Sequence, residues 1–101
     1  VAPAVIIVTM EKALGEAHVF DLGLVTQTLC LAAVKQGLGT CIQAQGVSYP
    51  NVIREMCNIP DSKYMAIAIA IGYPDWDNPV NQFKSSREPL ENLTTWIGFK
   101  E

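Results

Sequence analysis

Two short segments of the chain have the hydrophobic pattern of buried β-strands. Residues 4–9 read AVIIVT, an apolar and β-branched run behind a proline. Such a run predicts a strand that is covered on both faces. Residues 64–72 read YMAIAIAIG, in which isoleucine alternates with alanine. The isoleucines would fill a core on one side of a sheet, and the small alanines would let another backbone approach the other side. We therefore predict two central strands.

A longer apolar segment between these strands predicts a helix. Asp21 can cap its first turn through its carboxylate, the helix would cover residues 22–36, and Gly37 would end it in the left-handed conformation. Its apolar residues cover most of the helix circumference instead of one stripe, which is typical of a helix buried nearly all round. Because 101 residues can hardly enclose such a helix, we expect a partner subunit or another part of the protein to cover it.

The segments between these elements predict connections and one more short helix. Residues 37–41 form a glycine-containing turn, GLGTC, and residues 42–48 follow it as a loop. Residues 52–57 predict a short helix with Arg54 and Glu55 on its exposed side. Buried strands mixed with helices in this way predict a single domain of the α/β (α+β) class.

From about residue 74 the chain changes character and predicts an extended arm. Three prolines and many Asp, Asn and Ser residues make regular structure unexpected there. The arm nevertheless carries both tryptophans and two of the three phenylalanines, which a disordered tail would lack. We expect it to pack on another surface. Tyr73 and Trp76 could either anchor the arm or form the wall of a pocket.

Composition and charge narrow the class of protein. Half of the residues are apolar, and this supports burial against further protein. The net charge is −3 without a basic stripe, which argues against nucleic acid as a partner. No uninterrupted apolar run reaches the roughly 18 residues of a membrane span. The three cysteines are an odd number, so a disulfide framework is not expected and a cytoplasmic location is favoured.

Five motifs in a fixed order resemble the nitroreductase family. They are DLG at 21–23, GLGTC at 37–41, a short helix closed by IP at 59–60, IGYP at 71–74 and KSSREPL at 84–90. The resemblance covers about residues 4–91. It implies that residues 1–101 are the C-terminal portion of one nitroreductase-like domain, a partial fold. Because the chain starts at Val1 and lacks the family's N-terminal Arg-rich segment, we expect it to be incomplete.

The resemblance also implies a function. Nitroreductases are FMN-dependent NAD(P)H oxidoreductases that reduce nitroaromatic compounds, quinones or similar small-molecule acceptors, and they are homodimers with FMN at the interface. FMN would carry the redox chemistry, and the protein would bind and orient it. We expect the 101 residues alone to hold little FMN, because the remaining contacts must still offset the cost of association.

The candidate cofactor-binding residues form two groups, both assigned by the resemblance. An arginine in the last motif binds the FMN phosphate in the family, which assigns Arg87 with Ser85 and Lys84 beside it. A guanidinium and hydroxyls suit a dianionic phosphate. The loop after the glycine turn supplies backbone N–H groups to the flavin ring in the family. This assigns the loop residues Ala44 and Gln45, with Gln43 beside them.

No catalytic side chain and no metal site are predicted. His18 is the single histidine and has no cysteine or carboxylate neighbours at ligand spacing. Cys30 and Cys57 are expected in the core, and Cys41 is expected to be a small buried residue after the turn. Two other functions stay open: a non-catalytic dimerisation or binding module with the same fold, and an unrelated α/β domain that binds an anion at its glycine turn.

Overall fold

One antiparallel sheet carries the part of the chain that the computed structural model describes, residues 2–100. Its strands are β1 (Ala4–Glu11), β2 (Gly39–Gln43) and β3 (Lys63–Gly72), in the order β1-β3-β2. The predicted mixture of strands and helices is confirmed, and β3 is the central strand, as expected. Within residues 2–100, β1 lies at a sheet edge instead of the centre, because it pairs with β3 alone.

Isoleucine alternates with alanine in β3, and the small alanine residues in its middle lie between the two partner strands β1 and β2. Ala68 lies opposite Ile7 of β1 and opposite Gln43, the last residue of β2. Ala68 and its neighbour Ile69 are both 0% exposed. The core of the described residues is therefore centred on the middle of β3.

β2 corrects the sequence prediction, which assigned residues 42–48 to a loop. The strand continues to Gln43, and a 3₁₀ turn, Ala44–Val47, follows it directly. Five residues are too few for an alternating pattern to be recognised. Pairing with β3 stabilises them as a strand.

The central helix, α1 (Val19–Lys35), starts earlier than predicted. Its N-cap is His18, without a side-chain cap hydrogen bond. Asp21 lies within the first turn and forms a hydrogen bond of 3.0 Å with Nδ1 of His18, so the predicted cap is wrong. A 3₁₀ turn leads straight into α1, and the chain is already helical at Asp21.

The other end of α1 confirms the predicted role of Gly37. This glycine adopts φ +74° and donates its N–H to the carbonyl of Val34 at 3.0 Å. Leu38 donates to the carbonyl of Ala33 at 2.9 Å. These two bonds are the pattern of the Schellman motif, which requires a left-handed residue at the helix end.

Only one stripe of α1 is covered by the described residues. Thr26 and Ala33 are buried, whereas Phe20, Leu24 and Leu31 are more than half exposed. As expected, residues 2–100 do not enclose this helix. We call its uncovered apolar side the open face of α1; it comprises Phe20, Leu24, Val25, Leu31 and Val34.

The helical segment Glu16–Lys35 is also long and apolar enough to cross a membrane, with a mean hydropathy of 1.5. The sequence predicts no apolar run of that length, because polar residues interrupt this segment. The core helix of a soluble protein meets the same two criteria. Length and hydropathy therefore do not distinguish a membrane span from a core helix here.

The second helix, α2 (Pro50–Cys57), starts at a proline, which is favourable at a first helical position. Arg54 corrects the prediction that it lies on the exposed side, because its side chain is only 16% exposed. It donates to the carbonyl of Pro60 at 2.7 Å and to that of Lys63 at 2.6 Å. Arg54 therefore ties α2 to the start of β3.

The arm after Tyr73 is not wholly irregular. It contains two single-turn helices, α3 (Pro79–Gln82) and α4 (Leu90–Leu93). Asn78 starts α3 by accepting the N–H of Val80 at 3.1 Å. The arm's aromatic residues are largely exposed, namely Trp76, Phe83, Trp96 and Phe99. The radius of gyration is 17.6 Å, against about 13 Å for a compact domain of about 100 residues.

Candidate functional site

The first candidate group, residues 43–45, lies where β2 ends and the chain folds over the alanine side of β3. The following residue, Gly46, approaches the sheet closely. A Cβ atom at Gly46 would lie 2.4 Å from the Cβ atom of Ala68. Real Cβ atoms do not approach so closely, so glycine alone fits here without movement of the surrounding atoms. The turn is thus held against the centre of the sheet.

The chemistry of this group comes from backbone donors and amide side chains. Gln43, Ala44 and Gln45 are all exposed. In a 3₁₀ helix the N–H groups of the first residues have no partner within the helix. Together with the side-chain amides they can form hydrogen bonds with the carbonyl and nitrogen atoms of a flat heterocycle.

The second candidate group lies in the arm between α3 and α4. Lys84, Ser85 and Arg87 are exposed. Arg87 donates from one guanidinium nitrogen to Oγ of Ser85 at 2.5 Å and to the carbonyl of Ser86 at 3.1 Å. Among residues 2–100 no ion pair joins Arg87 to a carboxylate. Its charge therefore stays uncompensated there, which suits an anionic ligand.

The structure does not join the two groups. Across residues 2–100, no hydrogen bond or ion pair connects Lys84, Ser85 or Arg87 with residues 43–45. The first group is fixed on the sheet, and the second belongs to the loosely packed arm. A site that used both would depend on how the arm is held.

A groove of about 470 Å³ lies between β2 and the start of the arm. Tyr73 and Trp76 both line this groove. The sequence left two roles open for them, the wall of a pocket or an anchor of the arm. Thr40, Cys41 and Asn78 line the groove as well. No sequence pattern predicts a site role for these three residues, because only the fold brings the edge of β2 next to the arm. A second groove of about 490 Å³ lies beside Met10, Lys12 and Tyr64.

The cysteines differ from their predicted environment. Cys41 and Cys57 are exposed and Cys30 is half-buried, and all three are free. Cys41 lies on β2, which is an edge strand within the described residues. In the same part of the chain, no group of three or more His, Cys, Asp or Glu side chains comes together as a potential metal site.

The chain is similar to known proteins over most of its length. The model of the nitroreductase family matches residues 2–73. The chain is 32% identical over 98 residues to a 4-nitrobenzoate reductase of Pseudomonas putida, and the match covers 97% of this chain and 43% of that enzyme. It is 34% identical over 96 residues to a chloronitrobenzene nitroreductase of Comamonas testosteroni, covering 95% and 42%. The chain thus spans less than half the length of these relatives.

Solved structures agree with this comparison. The chain superimposes on the FMN and NADPH-dependent nitroreductase NfnB from sphigopyxis sp. strain HMH with a TM-score of 0.91 and 28% identity, covering 97% of this chain and 44% of that one. It superimposes on the FMN-dependent nitroreductase NfnB from Mycobacterium smegmatis, solved with NADPH, with a TM-score of 0.88 and 28% identity, covering 94% and 42%. The three-stranded sheet and its helices therefore have the fold of these nitroreductases.

Proposed function

Because this chain belongs to the nitroreductase family, we propose that it forms part of an FMN-dependent oxidoreductase. The enzyme would pass electrons from NAD(P)H to a nitroaromatic compound, a quinone or a similar small acceptor. The observation that carries this proposal is the superposition of nearly the whole chain on a nitroreductase described as FMN and NADPH-dependent. The names of the relatives favour nitroaromatic acceptors.

The residues at the end of β2 fit the flavin ring. Residues 43–45 are exposed, and they offer the backbone N–H groups at the start of the 3₁₀ turn together with the side-chain amides of Gln43 and Gln45. Donors held in this way can stabilise charge at the ring atoms. Bound FMN would supply the two-electron chemistry. The protein would orient the ring, and no acid or base side chain is assigned to the reaction.

The residues of the arm fit the FMN phosphate. Arg87 presents a guanidinium without a carboxylate partner among the described residues, and Ser85 and Lys84 add a hydroxyl and a second cation beside it. A charged hydrogen bond to phosphate is about twice as strong as a neutral one. We assign Arg87 as the main phosphate ligand of this chain.

The open face of α1 supports a homodimer. Exposed apolar surface of this extent on a helix marks an interaction site in a soluble protein. The exposed aromatic residues of the arm are further surface of the same kind. We propose that a second copy covers this surface and that FMN binds at the interface. The three free cysteines support a reducing, cytoplasmic location.

Flavin binding tests the proposal directly. The gene product that contains these residues is expected to purify with the visible absorbance bands of bound flavin and to oxidise NAD(P)H when a nitrobenzoate is added. Arg87→Ala should weaken FMN binding about 10- to 100-fold, since it removes a charged hydrogen bond. Arg87→Lys should retain part of the affinity.

The matched control is Lys35→Ala, which removes an exposed basic residue at the end of α1 and should leave FMN binding unchanged. A wild-type protein that neither binds FMN nor oxidises NAD(P)H would contradict the enzyme function. It would favour the second candidate, a non-catalytic dimerisation module, which the open face of α1 supports equally well. Unchanged FMN binding in Arg87→Ala would contradict only the phosphate assignment.

A further inference from the structure

The approach of Gly46 to Ala68 is too close for any other residue at position 46. An added Cβ atom would lie 2.4 Å from the Cβ atom of Ala68, while its next neighbours, the Cα atom of Ala68 and the Cβ atom of Gln43, are both at 3.8 Å. Non-bonded carbon atoms settle at about 3.5–4.0 Å. The Cβ atom of Ala68 is therefore the single obstacle. To relieve the clash, the two Cβ atoms would have to move apart by about 1 Å. Gly46 does not have a positive φ, so space and not conformation requires glycine.

Ala68 cannot move to make that space. It lies in the middle of the central strand, is 0% exposed, and faces a partner strand on each side. The 3₁₀ turn Ala44–Val47 is closer to the surface. A methyl group at Gly46 would therefore push the turn outward and leave the strand in place.

We propose that the Gly46–Ala68 contact sets the height of the turn residues Ala44 and Gln45 above the sheet, and that Gly46 is a positioning residue for the flavin ring. This inference rests on the proposed function, in which residues 43–45 bind that ring. Hydrogen bonds from N–H to oxygen span only about 2.7–3.2 Å. A displacement of the turn by about 1 Å would take the donors of Ala44 and Gln45 out of reach of the ring.

The test exchanges the methyl group between the two sides of the contact. Gly46→Ala introduces the clash, Ala68→Gly removes the opposing methyl group, and the double variant Gly46→Ala/Ala68→Gly contains only one methyl group. In the double variant the nearest remaining neighbours are at 3.8 Å, an ordinary contact. The three variants are made in the gene product that contains these residues.

The readouts separate positioning from folding. FMN affinity, the absorbance spectrum of bound flavin and its reduction potential report the ring site. Circular dichroism and the melting temperature of the apoprotein report the fold. Gly23→Ala is the control, because its added Cβ atom meets nothing within 4 Å in this chain.

We expect Gly46→Ala to weaken FMN binding about 10- to 100-fold and to shift the reduction potential, with the circular dichroism spectrum retained. The double variant should return to the wild-type affinity, because its single methyl group again supports the turn at an ordinary contact distance of 3.8 Å. If Gly46→Ala does not fold, Ala68→Gly decides the matter. It removes the support beneath the turn without a clash and should by itself change the affinity and potential.

Two results would overturn the inference while the proposed function stands. In the first, wild type binds FMN and Gly46→Ala binds it with the same affinity and potential. In the second, the double variant recovers the fold but not the flavin properties of the wild type. Failure of the wild type to bind FMN would instead overturn the proposed function, and with it the assignment of residues 43–45.

Discussion

Lys63, the first residue of β3, lies directly opposite Glu11, the last residue of β1, and their side chains form an ion pair. One residue further, Lys12 donates its N–H to the carbonyl of Ser62 at 2.8 Å. The two contacts close the end of the β1–β3 ladder. They fix the register of the only strand pairing that β1 makes within the described residues.

This ion pair predicts a pH dependence of stability. The hydrogen bond from Lys63 holds the pKa of Glu11 below its ordinary value. A carboxylate with a lowered folded-state pKa stabilises the fold above its unfolded-state pKa, about 4.3, and this contribution is lost as the pH falls through the folded-state pKa. Glu11→Gln should therefore reduce the loss of stability on acidification. Unfolding midpoints measured from about pH 6 down to about pH 3 check this.

The control for this prediction is Glu55→Gln, which changes an exposed carboxylate on α2. It should leave the pH profile unchanged. If Glu11→Gln and wild type lose stability in parallel on acidification, the ion pair does not contribute in solution.

Arg54 predicts a large effect at a residue outside the proposed site. Arg54→Ala removes two hydrogen bonds to carbonyl groups, those of Pro60 and Lys63, and should lower the free energy of unfolding by about 2–3 kcal/mol. Denaturant titration measures this change. Asp61→Ala is the matched control. Asp61 is 99% exposed and 3.9 Å from the guanidinium, and its loss should cost less than about 0.5 kcal/mol.

If Asp61→Ala destabilised the protein as much as Arg54→Ala, the ion pair and not the carbonyl contacts would hold the α2–β3 connection. An unchanged stability in Arg54→Ala would mean that α2 is held by other contacts.

Substituting alanine for either of two glycines in the α1 region should change the stability of the fold, with opposite signs. Gly37 has φ +74°, so Gly37→Ala should destabilise the fold by about 1 kcal/mol. Gly23 is helical, and a Cβ atom there meets nothing within 4 Å. Gly23→Ala should therefore stabilise it by about 0.5–1 kcal/mol. Thermal unfolding of both variants provides the measurement. Destabilisation by Gly23→Ala would show that protein from outside this chain lies against Gly23.

The open face of α1 predicts a change of oligomeric state. Leu31, which is 62% exposed here, would be buried in the proposed homodimer. Leu31→Glu should weaken association by at least about 100-fold, because each buried leucine contributes about 1.5–3 kcal/mol. Light scattering after size-exclusion chromatography should then give the mass of a monomer. Lys35→Glu, at the polar end of the helix, should leave the mass unchanged. A Leu31→Glu protein of unchanged mass would contradict this interface.

The features that the sequence predicted correctly depend on local patterns. The alternation in residues 64–72 marked the central strand, because side-chain direction in a strand has a period of two. Gly37 marked the end of α1, because few other residues adopt the left-handed conformation. Both signals lie within a few residues of the element that they define.

The features that it missed depend on contacts between distant residues. β2 is too short to show a pattern and is a strand because it pairs with β3. Arg54 was placed on the exposed side because nothing near it in the sequence reveals the carbonyl groups of Pro60 and Lys63. The candidate site was found through family motifs, whereas the Gly46–Ala68 contact had no local signal at all.

The edge position of β1 has a consequence for handling the protein. Its segment AVIIVT leaves a row of backbone N–H and C=O groups unpaired on one side within residues 2–100. Apolar edges of this kind recruit strands from other molecules and seed cross-β aggregates. A recombinant peptide limited to these 101 residues should accumulate in inclusion bodies. Co-expression with a segment that caps this strand would be the route to soluble material.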